Sequence, residues 1–241
     1  MSWLKNIVYL ILFGGLVVLL GFAEQQQDAL PCAGVQIQVN NEAESFVTRG
    51  EVIHILNSIV DSLSGLPIKE LPLYEMEKTI EQHGLIENAE VFVLPSGELQ
   101  VEFTQKKPIL RVQNRSGKEF YITMDGSPFP LSRNYTQRVL IANGHIADSI
   151  DLARLTKLSA YIVQNDFWKA QITQIYLNEN KEFELVPRVG NHTILLGGLE
   201  EMESKFEKLM LFYQKGVQQT GWNNYSLINL KYKNQLVCVK R

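Results

Sequence analysis

The stretch Ala89-Glu90-Val91-Phe92-Val93-Leu94-Pro95-Ser96-Gly97-Glu98-Leu99-Gln100-Val101-Glu102-Phe103 decides the fold of the first half of the chain. Residues 89–94 and 99–103 are extended runs, and Pro95-Ser96-Gly97-Glu98 between them is turn chemistry, so the segment predicts a β-hairpin. Upstream, Pro72 opens a helix in which Leu73, Met76 and Ile80 share a face, with Gly84 as the expected stop. Before that, Thr48 and Glu51 have capping-box spacing. Behind them Val52, Ile55, Leu56, Ile59, Val60 and Leu63 recur at helical spacing until Gly65 and Pro67 break the pattern. Earlier still, Val35-Gln36-Ile37-Gln38-Val39 alternates apolar and polar, as a half-buried strand does. The order is β-α-α-β-β, and two helices on one face of a three-stranded sheet bury one small core.

Downstream, Lys106-Lys107-Pro108 marks a boundary. Strands are expected over 109–112 and 120–123, around the turn Asn114-Arg115-Ser116-Gly117, and over 138–142 after the turn at Asp125-Gly126. Residues 150–163 read as a helix with Leu152, Leu155, Leu158 and Ile162 on one side. Residues 172–177, 183–186 and 193–196 read as strands. Residues 200–215 form an amphipathic helix: Met202, Phe206, Leu209 and Tyr213 face in, and Glu201, Lys205 and Lys208 face out. Strands over 225–232 and 235–240 close the chain around Lys233-Asn234. The fold class is α+β.

Residues 6–23 carry no charge. As a helix they span about 27 Å, close to the roughly 30 Å hydrocarbon core. Lys5 precedes the run, and Glu24 and Asp28 follow it, which orients the N-terminus to the cytoplasm and exports the body. The run is long for a signal h-region, so an uncleaved anchor is the reading; Gly21 and Ala23 have the spacing of a cleavage site, which is the alternative. Cys32, after Pro31 and well beyond the apolar run, makes a lipoprotein the weaker reading.

The 241 residues include 23 Lys and Arg against 26 Asp and Glu, a net charge of −3. That balance lacks the basic excess of a nucleic-acid binder. Two Cys exclude a disulfide scaffold or a Cys-rich zinc module. His54, His83, His145 and His192 are scattered, with no metal-ligand spacing, and structural roles fit each. There is no nucleophile elbow, P-loop or dinucleotide fingerprint. Asp125-Gly126 is a turn without a second carboxylate beside it. Gly197-Gly198 ends a strand. Asn114, Asn134, Asn191 and Asn224 begin Asn-x-Ser/Thr sequons, which in a eukaryotic secretory protein would imply a glycosylated type II membrane protein; the enzyme alternative, a type II membrane glycosyltransferase, lacks its Asp-x-Asp metal site and nucleotide-binding pattern here. Neither catalysis nor a cofactor is expected.

The ending is the most informative part for function. Along Ile228-Asn229-Leu230-Lys231-Tyr232 apolar side chains alternate, whereas Leu236-Val237-Cys238-Val239 is apolar on both faces. Two readings stay open. Such a strand is either central and covered on both sides, or terminal with an open edge to which a partner adds a strand.

The order of these elements resembles the bacterial cell-division family FtsQ/DivIB, and the first module resembles a POTRA domain. The stretches that carry it are Glu87-Asn88-Ala89-Glu90-Val91, Gly97-Glu98-Leu99-Gln100-Val101, Gln105-Lys106-Lys107-Pro108-Ile109, Tyr121-Ile122 with Asp125-Gly126, Gly190-Asn191-His192-Thr193-Ile194-Leu195-Leu196-Gly197, and Asn229-Leu230-Lys231-Tyr232. Trp222-Asn223-Asn224-Tyr225 and the Gln235-Leu236-Val237-Cys238 ending resemble the Bacteroidetes-type branch. Asn229 replaces the family's usual acidic residue, and the tail before the apolar run is short.

The resemblance implies a non-enzymatic, single-pass inner-membrane protein of the divisome, concentrated at the septum. It implies that the last strands bind the FtsB/FtsL pair and help control the septal synthase FtsW/FtsI. Matched residue by residue, the partner surface falls on Tyr232, Asn234, Gln235, Val237 and Val239. A role for the last POTRA strand in recruitment is also implied. The resulting layout is a tail at 1–6, a transmembrane helix at 7–23, a linker at 24–34, a POTRA domain at 35–106 and a β domain at 107–241. No metal, cofactor, nucleic acid or small-molecule substrate is expected. The alternative is a POTRA-containing accessory protein of outer-membrane assembly or secretion that binds extended polypeptide.

Overall fold

The computed structural model describes residues 3, 6, 9, 10, 12–17, 30–41, 46–60, 62–217 and 221–241. Most of the expected membrane span, 7–23, lies outside the described residues, as does most of the tail and of the linker. Residues 9, 10 and 12–17 are helical and exposed, and among the described residues no helix is long and apolar enough to cross a membrane. The chain forms two compact units, Met1–Gln105 and Lys106–Arg241.

In the first unit, β1 (Val35–Val39), α1 (Arg49–Ile59), α2 (Leu73–Glu81), β2 (Ile86–Val93) and β3 (Leu99–Gln105) follow in order. The sheet order is β1-β3-β2, with β1 parallel and β2 antiparallel to β3. Alternation puts Val35, Ile37 and Val39 in register with Leu99, Val101 and Phe103, which are fully buried. The capping box is complete: the Thr48 hydroxyl accepts from Glu51 N, and the Glu51 carboxylate accepts from Thr48 N at 2.7 Å. Val52 and Leu56 of α1 and Met76 and Ile80 of α2 fill the core. Gly97, with φ at +85°, makes the hairpin turn.

Two expectations for this unit are corrected. Gly84 does not stop α2: the helix ends at Glu81 with Gln82 as a right-handed cap, and Gly84 has no positive φ. The last strand, β3, lies in the middle of the sheet, so its backbone is already paired on both sides. Residues 30–34 are bonded into this unit, through Ile68 N to Leu30 O, Cys32 N to Leu66 O and Ala33 N to Gly97 O.

The second unit is one nine-stranded mixed sheet. Its strands are β4 (Leu110–Gln113), β5 (Glu119–Ile122), β6 (Pro128–Phe129), β7 (Leu140–Gly144), β8 (Ile172–Leu177), β9 (Phe183–Pro187), β10 (Thr193–Gly197), β11 (Tyr225–Asn229) and β12 (Val237–Lys240). The spatial order is β12-β11-β10-β9-β8-β7-β4-β5-β6. Helices α3 (Ser149–Gln164) and α4 (Asp166–Gln171) connect the parallel strands β7 and β8, and α5 (Met202–Leu211), continued by a π-helical turn at Phe212–Gly216, connects parallel β10 and β11. Each is the helical crossover that parallel pairing requires. The helices share one core with the sheet: Leu155, Leu158, Ile162, Trp168, Phe206, Leu209 and Tyr213 join Ile175, Leu185, Ile194 and Ile228. Trp168 meets Phe206 edge-on at 5.0 Å.

The structure adds β6 and α4 to the expected elements. The first has two residues, too few to show a period. The second starts directly after α3, at Asn165, whose side chain accepts from Trp168 N. Lys205 is corrected from outward to buried. It stands three residues from Met202 and four from Leu209, on the inward face, and its Nζ reaches Gly198 O at 2.8 Å. Burial pushes its pKa down, against the pull of Glu200 and Glu201.

Candidate docking edge

β12 is a terminal strand of the nine-stranded sheet, hydrogen-bonded on one side to β11. Of the two readings of an ending apolar on both faces, the terminal strand is the one observed: among the described residues no strand pairs with its outer side. The register sets Val239 against Leu227, Cys238 against Ile228 and Val237 against Asn229. Ile228 is fully buried, so Cys238 turns toward the core, where it and Leu236 pack half-buried. Val237 and Val239 turn to the opposite face and are 38% and 48% exposed. Natural edges are more often guarded by charge, proline or cover.

The strand is held from both ends. At the turn, Asn234 takes a left-handed conformation, φ +62°. Lys208 of α5 donates to Tyr232 O at 2.7 Å, Lys231 pairs with Glu182 just before β9 at 2.5 Å, and Lys233 with Glu201 at 3.4 Å. At the far end Arg241 N donates to Asn224 O at 3.1 Å, and the Arg241 guanidinium donates to Asn191 O. Below it His192, 4% exposed, lies 2.9 Å from the Tyr213 hydroxyl. Burial pushes the Tyr213 phenol up and holds it protonated.

The five expected partner residues fall into two groups. Val237 and Val239 share the outer face of β12. Tyr232, Asn234 and Gln235 lie in the exposed turn before it. The strand expected to run to residue 232 ends at Asn229, so Tyr232 is not an inward-facing strand residue; its ring is 49% exposed. The clamp of Lys208, Lys231 and Lys233 is not visible in the sequence, since it joins the closing turn to groups far away along the chain, Glu182 before β9 and Glu201 and Lys208 at and within α5. Both cysteines are free, and burial pushes the Cys238 thiol up. Among the described residues no group of three or more His, Cys, Asp or Glu is placed to hold a metal. This arrangement leaves backbone groups of β12 and the apolar side chains of Val237 and Val239 facing outward among the described residues.

Residues 30–104 match the POTRA-like domain, which makes this a POTRA-bearing protein with a second, sheet-based unit. Residues 107–239, more than half the chain, match FtsQ/DivIB, C-terminal related, and the chain belongs to the FtsQ/DivIB family of cell-division proteins. It is similar to the cell division protein FtsQ of Rhodothermus marinus, at 25% identity over 187 residues, covering 72% of this chain and 67% of the relative.

Proposed function

We propose that this chain is a divisome docking protein, anchored in the inner membrane by residues 7–23, which binds an FtsB/FtsL-like pair by strand addition at β12. Through that pair it helps control septal peptidoglycan synthesis by FtsW/FtsI, and it carries out no catalysis. The observation that supports this reading is the open edge of β12 with Val237 and Val239 exposed on its outer face. The layout goes with it: tail at 1–6, anchor at 7–23, linker at 24–34 whose last residues, 30–34, bond into the first unit, POTRA domain at 35–106 and docking domain at 107–241.

Magnitudes define what the edge must supply. A handful of ladder hydrogen bonds at about 1 kcal/mol net each totals only a few kcal/mol, and association costs about 4–15 kcal/mol. The difference has to come from apolar contacts, for which Tyr232, Val237 and Val239 are the exposed groups, with Asn234 and Gln235 at the rim. Val237→Asp and Val239→Asp put a charge into that contact without touching the core. The expected outcome is loss of co-purification with the FtsB/FtsL-like pair from detergent-solubilised membranes, with thermal melting of the second unit shifted by less than about 1 kcal/mol. Partner recovery at the unsubstituted level rejects the β12 reading.

A further inference from the structure

The first unit has edge strands of its own, β1 and β2. Strand β1 is hydrogen-bonded on one side only, to β3. The phase of that pairing is set at both ends: Leu99 N donates to Gly34 O at 2.9 Å, and Asn40 N donates to Phe103 O at 3.0 Å. Residues 34, 36, 38 and 40 therefore turn their backbone groups toward β3. Val35, Ile37 and Val39 turn theirs outward. Among the described residues no strand pairs with them. The edge carries neither a charged residue nor a proline, the usual guards against pairing.

The sequence of this edge, Val-Gln-Ile-Gln-Val, reads the same in both directions. A two-fold interface needs a self-complementary surface, and a palindromic edge supplies one. We infer that β1 is a self-association edge, on which a second copy of this chain pairs its own β1 antiparallel about a two-fold axis through Ile37. In that register Ile37 faces Ile37, and Val35 faces Val39, as hydrogen-bonded pairs. Each outward N–H of one copy meets an outward C=O of the other. Gln36 faces Gln38 of the second copy as a non-hydrogen-bonded pair, the kind in which side chains approach most closely.

Gln100 independently marks this edge as incomplete. It sits next to Gln36 in register on β3, is 7% exposed, and its Oε1 has no hydrogen-bond partner. It contributes to a groove of about 600 Å³ along β1 with Gln36, Gln38 and Arg49. A buried carbonyl without a donor is costly. Pairing lays Gln38 of the second copy, Gln36 and Gln100 in one row across the joined sheet. The incoming amide is a donor of the required chemistry, and the row sets amide against amide beside the Glu98 carboxylate, to which Gln36 Nε2 already donates at 2.8 Å. This proposal does not depend on what β12 binds.

An edge of this length falls in the class of small transient interfaces, below about 1,200 Å², so the test traps the dimer covalently. Gln36→Cys and Gln38→Cys replace exposed side chains, and full-length chains carrying one or the other are oxidised separately and as a mixture. The unsubstituted chain, which keeps Cys32 and Cys238, sets the background. Directly opposed Cβ atoms lie about 4.5–5.5 Å apart and diagonal ones farther, so the mixture is expected to give about fivefold more disulfide-linked dimer than either variant alone. Equal yields in all three samples, or none above background, overturn the proposal. Ile37→Pro, added to both variants, removes the central outward N–H while leaving the ladder to β3 intact. It is expected to abolish trapping, and undiminished trapping likewise overturns the assignment. If that variant fails to fold, the mixing experiment decides alone.

Discussion

His192 shows how one buried side chain ties the stability of the second unit to pH. Its Nε2 lies 2.9 Å from the Tyr213 hydroxyl, and the two rings meet edge-on at 5.8 Å. Burial lowers the imidazole pKa; the backbone of Trp222 pulls it up, and Arg241 of the C-terminal end pushes it further down. A folded-state pKa below the unfolded value of about 6.5 means that the unfolded chain takes up its proton first as the pH falls. The stabilisation is complete above that value and is lost progressively below it, until the folded-state pKa is passed. The melting temperature of the second unit is expected to fall between pH 7 and pH 5, and His192→Gln to flatten that slope. Melting curves of both proteins across this range check it, and equal slopes count against His192 as the titrating group.

At the scale of elements, the local signals were legible and the distant ones were not. Thr48 and Glu51 bond each other across one helical turn, so four residues of sequence contain the whole interaction. Thr48→Ala removes the cap and is expected to lower the stability of the first unit by about 1 kcal/mol, within a range of about 0.5–2. Denaturant unfolding followed on that unit measures it, and an unchanged midpoint would mean that the cap is solvated at no cost. The alternation of β1 and the turn at Gly97 were legible for the same reason, since the informative atoms are sequence neighbours. The position of β12 was not. Leu236-Val237-Cys238-Val239 has the same composition whether the strand is central or terminal; what decides it is that, among the described residues, β11 is its one strand neighbour. Charge alone places Lys205 outward, but its angular position sets its stem with Met202 and Leu209 on the core side, and the ammonium finds Gly198 O. Of the expected partner residues, Val237 and Val239 could be assigned a face from the period of two, whereas Tyr232, Asn234 and Gln235 depended on where β11 stops.

At the scale of the whole molecule, two units with separate cores allow damage to one without collapse of the other. That separation makes a test in living cells interpretable. Cells depleted of this protein are expected to elongate into filaments without septa, and the unsubstituted chain to restore division. The Val239→Asp chain keeps its core, because Val239 is 48% exposed and its loss leaves Ile228 and Leu230 buried. It is therefore expected to accumulate normally yet leave the cells filamentous. Thr48→Ala makes the contrast: it costs stability in the first unit but does not touch β12, so a chain that remains mostly folded is expected to restore septation. The pair separates docking from bulk stability, since a merely destabilising effect would rank the two variants the other way. Filament length and septum frequency at matched protein levels are the readout. Normal septation with Val239→Asp would remove the outer face of β12 from the function of this protein.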